Sequence, residues 1–333
     1  MLSRQFTVRP AAMSDLAAVV DLVNARSVGL VGEPRIEETE MRGEWEMPGF
    51  ELGTATQAVL ASDGKLVGYA VLGDSAPHVR LRAGVHVHPE YWGQGIGTFL
   101  GRWAEKRARQ AVPLAPEGVR VVLHQTVPNS DAAACSLLQA WDYQLVRRFF
   151  LMAIDMDEPP PEPSLPEGIT IRPFVRATEA EALVYATLDA FKDHWGYVEM
   201  PFEEVLDEWV HWMDDDPSFD ESLWLVAVAG DEIVGCSICY DVTGEGPHVG
   251  KVETLGVRYP WRRRGIASAL LRHSFVELYR RDRTRVTLGV DTQSLTGALR
   301  LDEKAGMHVA YQYDRYEKEL RPVKDVSTKA LEV

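Results

Sequence analysis

Alternating apolar and polar positions open each half of the chain. Phe6–Ala11 reads FTVRPA and Ile169–Phe174 reads ITIRPF, a period of two that predicts a half-buried strand. Each run leads into a predicted helix, Ser14–Ala25 in the first half and Thr178–Phe191 in the second. Apolar strand pairs follow. Gln57–Ala61 and Leu66–Leu72 flank Asp63-Gly64, while Leu223–Ala229 and Ile233–Tyr240 flank Gly230-Asp231. Gly beside Asp between two apolar runs is a hairpin signal, because it supplies the positive φ that tight turns need. Long strands are predicted over Val79–Val87 and His248–Val257. Each ends in a glycine-bearing turn that opens a helix, Tyr91-Trp-Gly-Gln-Gly-Ile-Gly97 and Trp261-Arg-Arg-Arg-Gly-Ile-Ala267. Strands over Val119–Gln125 and Arg285–Val290, a shorter helix and final strands close each half.

The two series run in step. Gly68 matches Gly235 and Gly95 matches Gly265 at a near-constant offset, the signature of an internal duplication. Between the halves, Asp157–Gly168 reads DEPPPEPSLPEG, with five prolines. Such a stretch is stiff and extended, with no core of its own. The pattern therefore predicts an N-terminal domain over 1–156, a linker over 157–168, a C-terminal domain over 169–322 and a tail over 323–333. Each domain reads as mixed α/β, built on one central sheet.

Composition narrows the classes. The chain has 333 residues, 46% apolar and 26% charged, the balance of a soluble globular protein. Met1–Pro10 lacks the apolar stretch of a signal peptide, and no run of about 18 apolar residues could span a membrane. The expectation is a cytoplasmic protein that uses no membrane. A net charge of −15 argues against nucleic acid, whose phosphates need a basic face, and favours cationic ligands. Cys236 and Cys239 invite a metal or redox role. On a strand, however, residues three apart face opposite ways, and no second cysteine pair completes a tetrahedral site. No metal is expected.

The strand, glycine turn and helix carry the chemistry. A helix start offers unbonded N–H groups and the positive end of its dipole, and glycine lets an anion approach the backbone. Arg262, Arg263 and Arg264 add positive charge to the second turn. That turn lies within Thr254-Leu-Gly-Val-Arg-Tyr-Pro-Trp-Arg-Arg-Arg-Gly-Ile-Ala-Ser-Ala-Leu-Leu271, which resembles the (Gln/Arg)-x-x-Gly-x-(Gly/Ala) motif of the GNAT superfamily of N-acetyltransferases. Arg262, Gly265 and Ala267 fill its fixed positions. In the first half, His88-Pro-Glu-Tyr-Trp-Gly-Gln-Gly-Ile-Gly-Thr-Phe-Leu100 keeps Gly95 and Gly97 but has Trp92 at the first position. The tandem arrangement resembles mycothiol-synthase-like actinobacterial acetyltransferases.

The resemblance implies two tandem GNAT domains, each with a mixed sheet whose central strands splay. Acetyl-CoA would be the co-substrate. Its pantetheine arm would pair with Leu255, Gly256 and Val257. Its diphosphate would rest on the amides of Arg263, Arg264, Gly265, Ile266, Ala267 and Ser268. The first half offers Val85, Val87, Gly93, Gly95, Gly97 and Thr98 for the same tasks.

An alkylammonium has a pKa near 10 and must lose a proton before it attacks a thioester. Glu253, on the strand leading into the second turn, is the candidate base, and the matching Ala83 leaves the first half without one. The family's acid tyrosine is replaced by Asp302, which could donate only if burial raised its pKa. Tyr311, Tyr313 and Tyr316 are further candidate donors, with Tyr313 retained beside Asp302. Asp193, His194 and Trp195 are expected to line an acceptor pocket, where rings and carboxylates suit an ammonium. The expected activity is acetyl transfer to a primary amine of a small cationic molecule, by direct attack in a ternary complex. A protein N-acetyltransferase and a non-catalytic acyl-CoA-binding module are the alternatives. The chain is expected to act as a monomer or homodimer.

Overall fold

The computed structural model describes residues 2–294 and 296–328. In chain order the strands are β1 (Thr7–Arg9), β2 (Thr56–Leu60), β3 (Leu66–Gly73), β4 (Arg80–Val87), β5 (Val121–Pro128), β6 (Gln144–Asp155), β7 (Thr170–Pro173), β8 (Trp224–Ala229), β9 (Glu232–Tyr240), β10 (Val249–Val257), β11 (Arg285–Asp291) and β12 (His308–Arg321). The helices are α1 (Leu16–Val31), α2 (Glu38–Glu46), α3 (Leu52–Ala55), α4 (Ile96–Ala111), α5 (Ala132–Ala140), α6 (Arg176–Phe191), α7 (Phe202–Asp215), α8 (Ile266–Arg280) and α9 (Ala298–Lys304). Among the described residues, no helix is long and apolar enough to cross a membrane.

Both halves fold by the same local rules. Arg9 and Arg172, each in an Arg-Pro pair, tie the first strand to the opening of the first helix. Arg9 grips Asp15 at 2.5 and 2.8 Å, and Arg172 grips Glu179 at 2.9 and 2.5 Å. Each carboxylate also accepts a backbone N–H at the helix start, from Ala12 at 2.8 Å and from Val175 at 2.9 Å. These bonds satisfy amides that a helix leaves open. Neighbouring strand residues then serve opposite faces, as the pleat requires. Ala58 and Tyr69 join the cluster of α1, while Val59 and Ala70 join that of α4. In the second half, Val226 belongs with Leu183 of α6, and Leu225 and Ala227 with Ile266 and Leu270 of α8.

The compact units do not follow the linear division at the proline-rich segment. One comprises the chain up to Arg148 together with Gln312–Val326. The other comprises Phe149–Tyr311 with Ser327 and Thr328. In the first unit the strand order is β1-β2-β3-β4-β5, completed by the later part of β12. Tyr313 through Arg321 pair antiparallel with Pro128 back to Val121. In the second unit β7-β8-β9-β10-β11 is completed by the later part of β6, with Phe149 through Asp155 antiparallel to Asp291 back to Arg285. Each unit thus takes its last strand from the other half of the sequence.

The proline-rich segment lies wholly within the second unit. Met156 donates to the Thr284 carbonyl at 2.7 Å, and Glu162 pairs with Arg280 at 3.0 Å. A cavity of about 330 Å³ lies between Asp157–Pro161 and the α8 residues Arg272 and Phe275. Cys236 and Cys239 are buried free thiols on β9. Cys236 Sγ lies 3.4 Å from Thr187 Oγ1, and burial pushes its thiol up to about 11.

Candidate active site

In the second unit, β10 pairs in parallel with β11 only from Val249–Arg285 to Val252–Leu288. Beyond that point β10 keeps β9 as its partner, from Thr254–Ile238 to Val257–Gly235. Meanwhile β11 continues beside β6 as far as Asp291–Phe149. The two central strands therefore diverge. Leu255, Gly256 and Val257 border the opening, with backbone groups that no strand on that side takes up among the described residues. The register on β9 slips between Val252 and Thr254, so Glu253 is the bulged residue at the point of divergence. Bulges re-aim side chains and end pairing, and they gather beside active sites.

The turn after β10 is shaped for an anion. Arg263 has φ +63° and Gly265 has φ +83°, and Gly265 caps the start of α8. The side chain of Ile266 is sunk in the core, which fixes the helix start while the amides of Ile266, Ala267 and Ser268 have no partner within the helix. Arg263, Arg264 and Gly265 are exposed. Arg264 stacks its guanidinium 4.7 Å from the Trp261 ring centre. Open amides, a helix dipole and nearby guanidinium charge form the donor set that a diphosphate requires. The residues present thus fit the phosphate end of acetyl-CoA, and the opening between β10 and β11 fits an extended arm.

Arg262 does something the sequence did not disclose. Its side chain turns inward. Nε donates to the Val257 carbonyl at 3.1 Å and Nη2 to the Ala190 carbonyl at 2.8 Å, while Nη1 and Nη2 bind both oxygens of Asp193 at 2.5 and 2.8 Å. The Asp193 carboxylate is held below its usual range chiefly by that hydrogen bonding. It is committed to Arg262, so the expected contact between Asp193 and an acceptor ammonium gives way to a contact within the protein. His194 and Trp195 follow it, both partly exposed. The His194 ring meets Phe191 edge-on at 4.6 Å. Burial lowers the His194 pKa, opposed by the charges of Asp193 and Asp291. Phe191 in turn covers Gly256, where a Cβ would come within 2.8 Å of its ring. The end of α6 therefore lies against the diverging strand.

The proposed acid–base groups lie in different surroundings. Glu253 is exposed and bonded to Lys251 at 2.6 Å. Lys251 stands two residues earlier on the same strand, the one sign of that pairing in the linear pattern. Asp302 on α9 is buried at 2% exposure, and its Oδ2 has no hydrogen-bond partner among the described residues. Burial, with a smaller push from Glu303, raises its carboxyl to about 7. Tyr313 belongs to the first unit, because the strand exchange carries it there. Its hydroxyl accepts from Arg35, whose guanidinium lies 4.7 Å from the Tyr313 ring centre. Tyr316 is buried in the same unit beside Gln139 and Cys135, and burial pushes it up to about 12. Neither tyrosine is part of the second unit, whose completing strand Phe149–Asp155 carries no tyrosine.

The first unit repeats the divergence. β4 pairs in parallel with β5 only as far as Ala83–Gln125, leaving Val85 and Val87 on the opened stretch. Gly93 at φ +77° and Gly95 at φ +81° shape the turn into α4, which begins at Ile96 ahead of Gly97 and Thr98. Trp92 replaces the motif's first residue, yet its indole N–H donates to the Val87 carbonyl at 2.9 Å. That is the bond Arg262 makes to Val257. The first position of the motif thus satisfies the last carbonyl of the opened strand, which tryptophan or arginine can do. No bulge accompanies Ala83, whose pairing with Leu72 continues in step.

Comparison with known proteins agrees with this geometry. The acetyltransferase (GNAT) family model matches residues 26–140 and 184–307. Mycothiol acetyltransferase from Salinispora arenicola is 31% identical over 314 residues, covering 90% of this chain and 93% of its own. The protein of that name from Streptomyces scabiei is 29% identical, over 79% of this chain and 77% of its own. Among solved structures, a GCN5-related N-acetyltransferase from Sphaerobacter thermophilus superposes with a TM-score of 0.82 at 36% identity, covering 99% of this chain and all of that one. A tandem GNAT protein from the clavulanic acid biosynthesis pathway, at 16% identity and a TM-score of 0.73 over 96% of this chain and 100% of its own, shares the fold. The chain belongs to the GNAT family of acetyltransferases and carries that fold twice.

Proposed function

We propose that the second unit transfers the acetyl group of acetyl-CoA to the primary amine of a small cationic molecule, by direct attack in a ternary complex. The observation that carries this is the parallel ladder ending at Val252, which opens the end of β10 that leads into the Arg263–Ser268 turn. When bound, acetyl-CoA supplies the activated acyl group. The chain's own residues supply the rest. Leu255–Val257 offer backbone bonds, and the amides of Arg263–Ser268 hold the diphosphate. Glu253, at the point of divergence, takes the ammonium proton directly or through water. Asp302, whose carboxyl burial raises to about 7, offers a proton to the leaving sulfur. Acidic Glu203, Glu204, Asp207 and Glu208 on α7 favour a cationic acceptor, and relatives named mycothiol acetyltransferase support a small molecule over a peptide. The first unit, with Ala83 and an unbulged strand, is proposed as a binding-competent but non-catalytic acyl-CoA module.

Calorimetric titration with acetyl-CoA tests this. Gly265→Glu should abolish binding at the second unit, and Gly95→Glu should affect the first alone. Both positions have positive φ, so Gly265→Ala controls for backbone strain and should retain most of the affinity. Wild-type protein that binds no acetyl-CoA would overturn the reading. Turnover on a peptide panel but on no small amine would replace the acceptor.

A further inference from the structure

Arg262 stands one residue ahead of the amides assigned to the diphosphate, yet its guanidinium faces the other way. Its four hydrogen bonds join three segments of the second unit: the last residue of β10 through the Val257 carbonyl, the end of α6 through the Ala190 carbonyl, and the segment leading to His194 and Trp195 through both Asp193 oxygens. Trp92, the counterpart in the first unit, makes only the strand bond and has no fork with which to hold a carboxylate. The strand bond thus belongs to the fold, and the Asp193 and Ala190 bonds are an addition confined to the unit with Glu253 and the bulge. A bidentate arginine–carboxylate pair fixes both distance and orientation. The Arg262 ring contact with Tyr259, at 5.4 Å, further restricts its motion.

We propose that Asp193 is a positioning residue which, through Arg262, makes the acetyl-CoA turn and the acceptor-side segment 190–197 one mechanical element. The inference rests on the reading of that turn as the acetyl-CoA site. Its consequence is coupling. Acetyl-CoA that steadies residues 263–268 also steadies His194 and Trp195, so donor binding favours the acceptor-ready arrangement. By reciprocity, a loosened acceptor segment weakens the donor site. The sign separates this from a direct electrostatic role. Removing a negative charge near an anionic ligand should by itself tighten binding; removing a strut should loosen it.

Asp193→Asn keeps the shape and removes the charge. In the ligand-free protein, hydrogen exchange should accelerate in peptides covering 188–197 and 258–268 while staying unchanged over α7. Acetyl-CoA binding should weaken by about tenfold or more, since small displacements of a positioned group carry costs of that order. Asp193→Glu, which keeps the charge, should recover most of the affinity. Unchanged exchange at the turn, or tighter acetyl-CoA binding, would overturn the proposal. If Asp193→Asn fails to fold, Arg262→Trp copies the first unit. It should preserve the strand bond and the fold while losing protection over 190–197, and retained protection there would overturn the proposal equally. The exchange measurement needs no ligand. Faster exchange in a protein that binds no acetyl-CoA would therefore leave the strut standing and sink only the functional assignment.

Discussion

Asp302 shows how burial alone can change the chemistry of a residue. A carboxyl at 2% exposure, with one oxygen unpartnered among the described residues, meets a large desolvation cost on ionising, and its pKa rises to about 7. The sequence placed an aspartate where the family has tyrosine. What it could not supply was the dry surroundings that keep the group protonated. The stability consequence has a definite sign. Between about pH 4, where an unfolded aspartate ionises, and pH 7, the native state holds a proton that the unfolded chain has lost. Stability therefore falls as pH rises across that window, by about 1.4 kcal/mol for each pH unit crossed. Asp302→Asn carries no charge at any pH. Its melting temperature should gain on the wild type from pH 5 to pH 8, as followed by calorimetry. If Asp302 is the proton donor, the same variant should lose about 100-fold or more in kcat, together with the decline in rate above pH 7. A gap in melting temperature that does not change with pH would remove the basis for a neutral Asp302.

At the scale of the element, the strand, turn and helix were legible because the turn chemistry is local. Glycines set positive φ, the helix start follows, and the apolar spacing of Ile266, Ala269 and Leu270 seats α8 on the sheet. Two features were not legible. The bulge at Glu253 depends on register against β9, and the inward turn of Arg262 depends on which carbonyls the opened strand and α6 leave unpaired. Neither quantity is written in a linear pattern. The turn also carries strain. Arg263 holds φ +63° where the first unit has Gly93 at φ +77°, and a side chain in the left-handed region costs about 1–2 kcal/mol. On the proposed reading of the turn, the strained arginine places positive charge beside the diphosphate. Arg263→Gly should raise stability in urea by up to about 1 kcal/mol, because glycine's greater unfolded freedom offsets part of the relief. It should also weaken acetyl-CoA binding, more at low salt than at high. Relief of strain without any effect on affinity would leave Arg263 with no part in binding.

For the whole molecule, duplication was legible and the exchange of final strands was not. β6 and β12 have the same antiparallel role, and nothing along the chain says which sheet each one completes. The choice is made by side chains that meet after folding. On β12 Glu317 reaches His124 Nε2 at 2.8 Å and Arg120 Nη2 at 2.8 Å, and Arg120 also binds Glu319 at 2.5 Å. Burial would raise the Glu317 carboxyl, but the bonds from His124 and Arg120 prevail and hold it down to about 2. Because its folded pKa lies below the unfolded value near 4.3, its contribution is complete above that pH and is lost as pH falls towards 2. Glu317→Gln keeps the volume but strands the Arg120 guanidinium, while His124, its pKa lowered by burial, loses the carboxylate that accepts from its Nε2. It should cost about 1–3 kcal/mol at pH 7 after allowance for solvent screening, and about a quarter of that at about pH 2.5, as read from urea unfolding at the two pH values. Hydrogen exchange should then speed up first along Val121–Pro128, the strand that Tyr313–Arg321 covers. An equal cost at both pH values would mean that Glu317 acts by packing, and that the seal on the first unit lies instead in the β5–β12 backbone ladder.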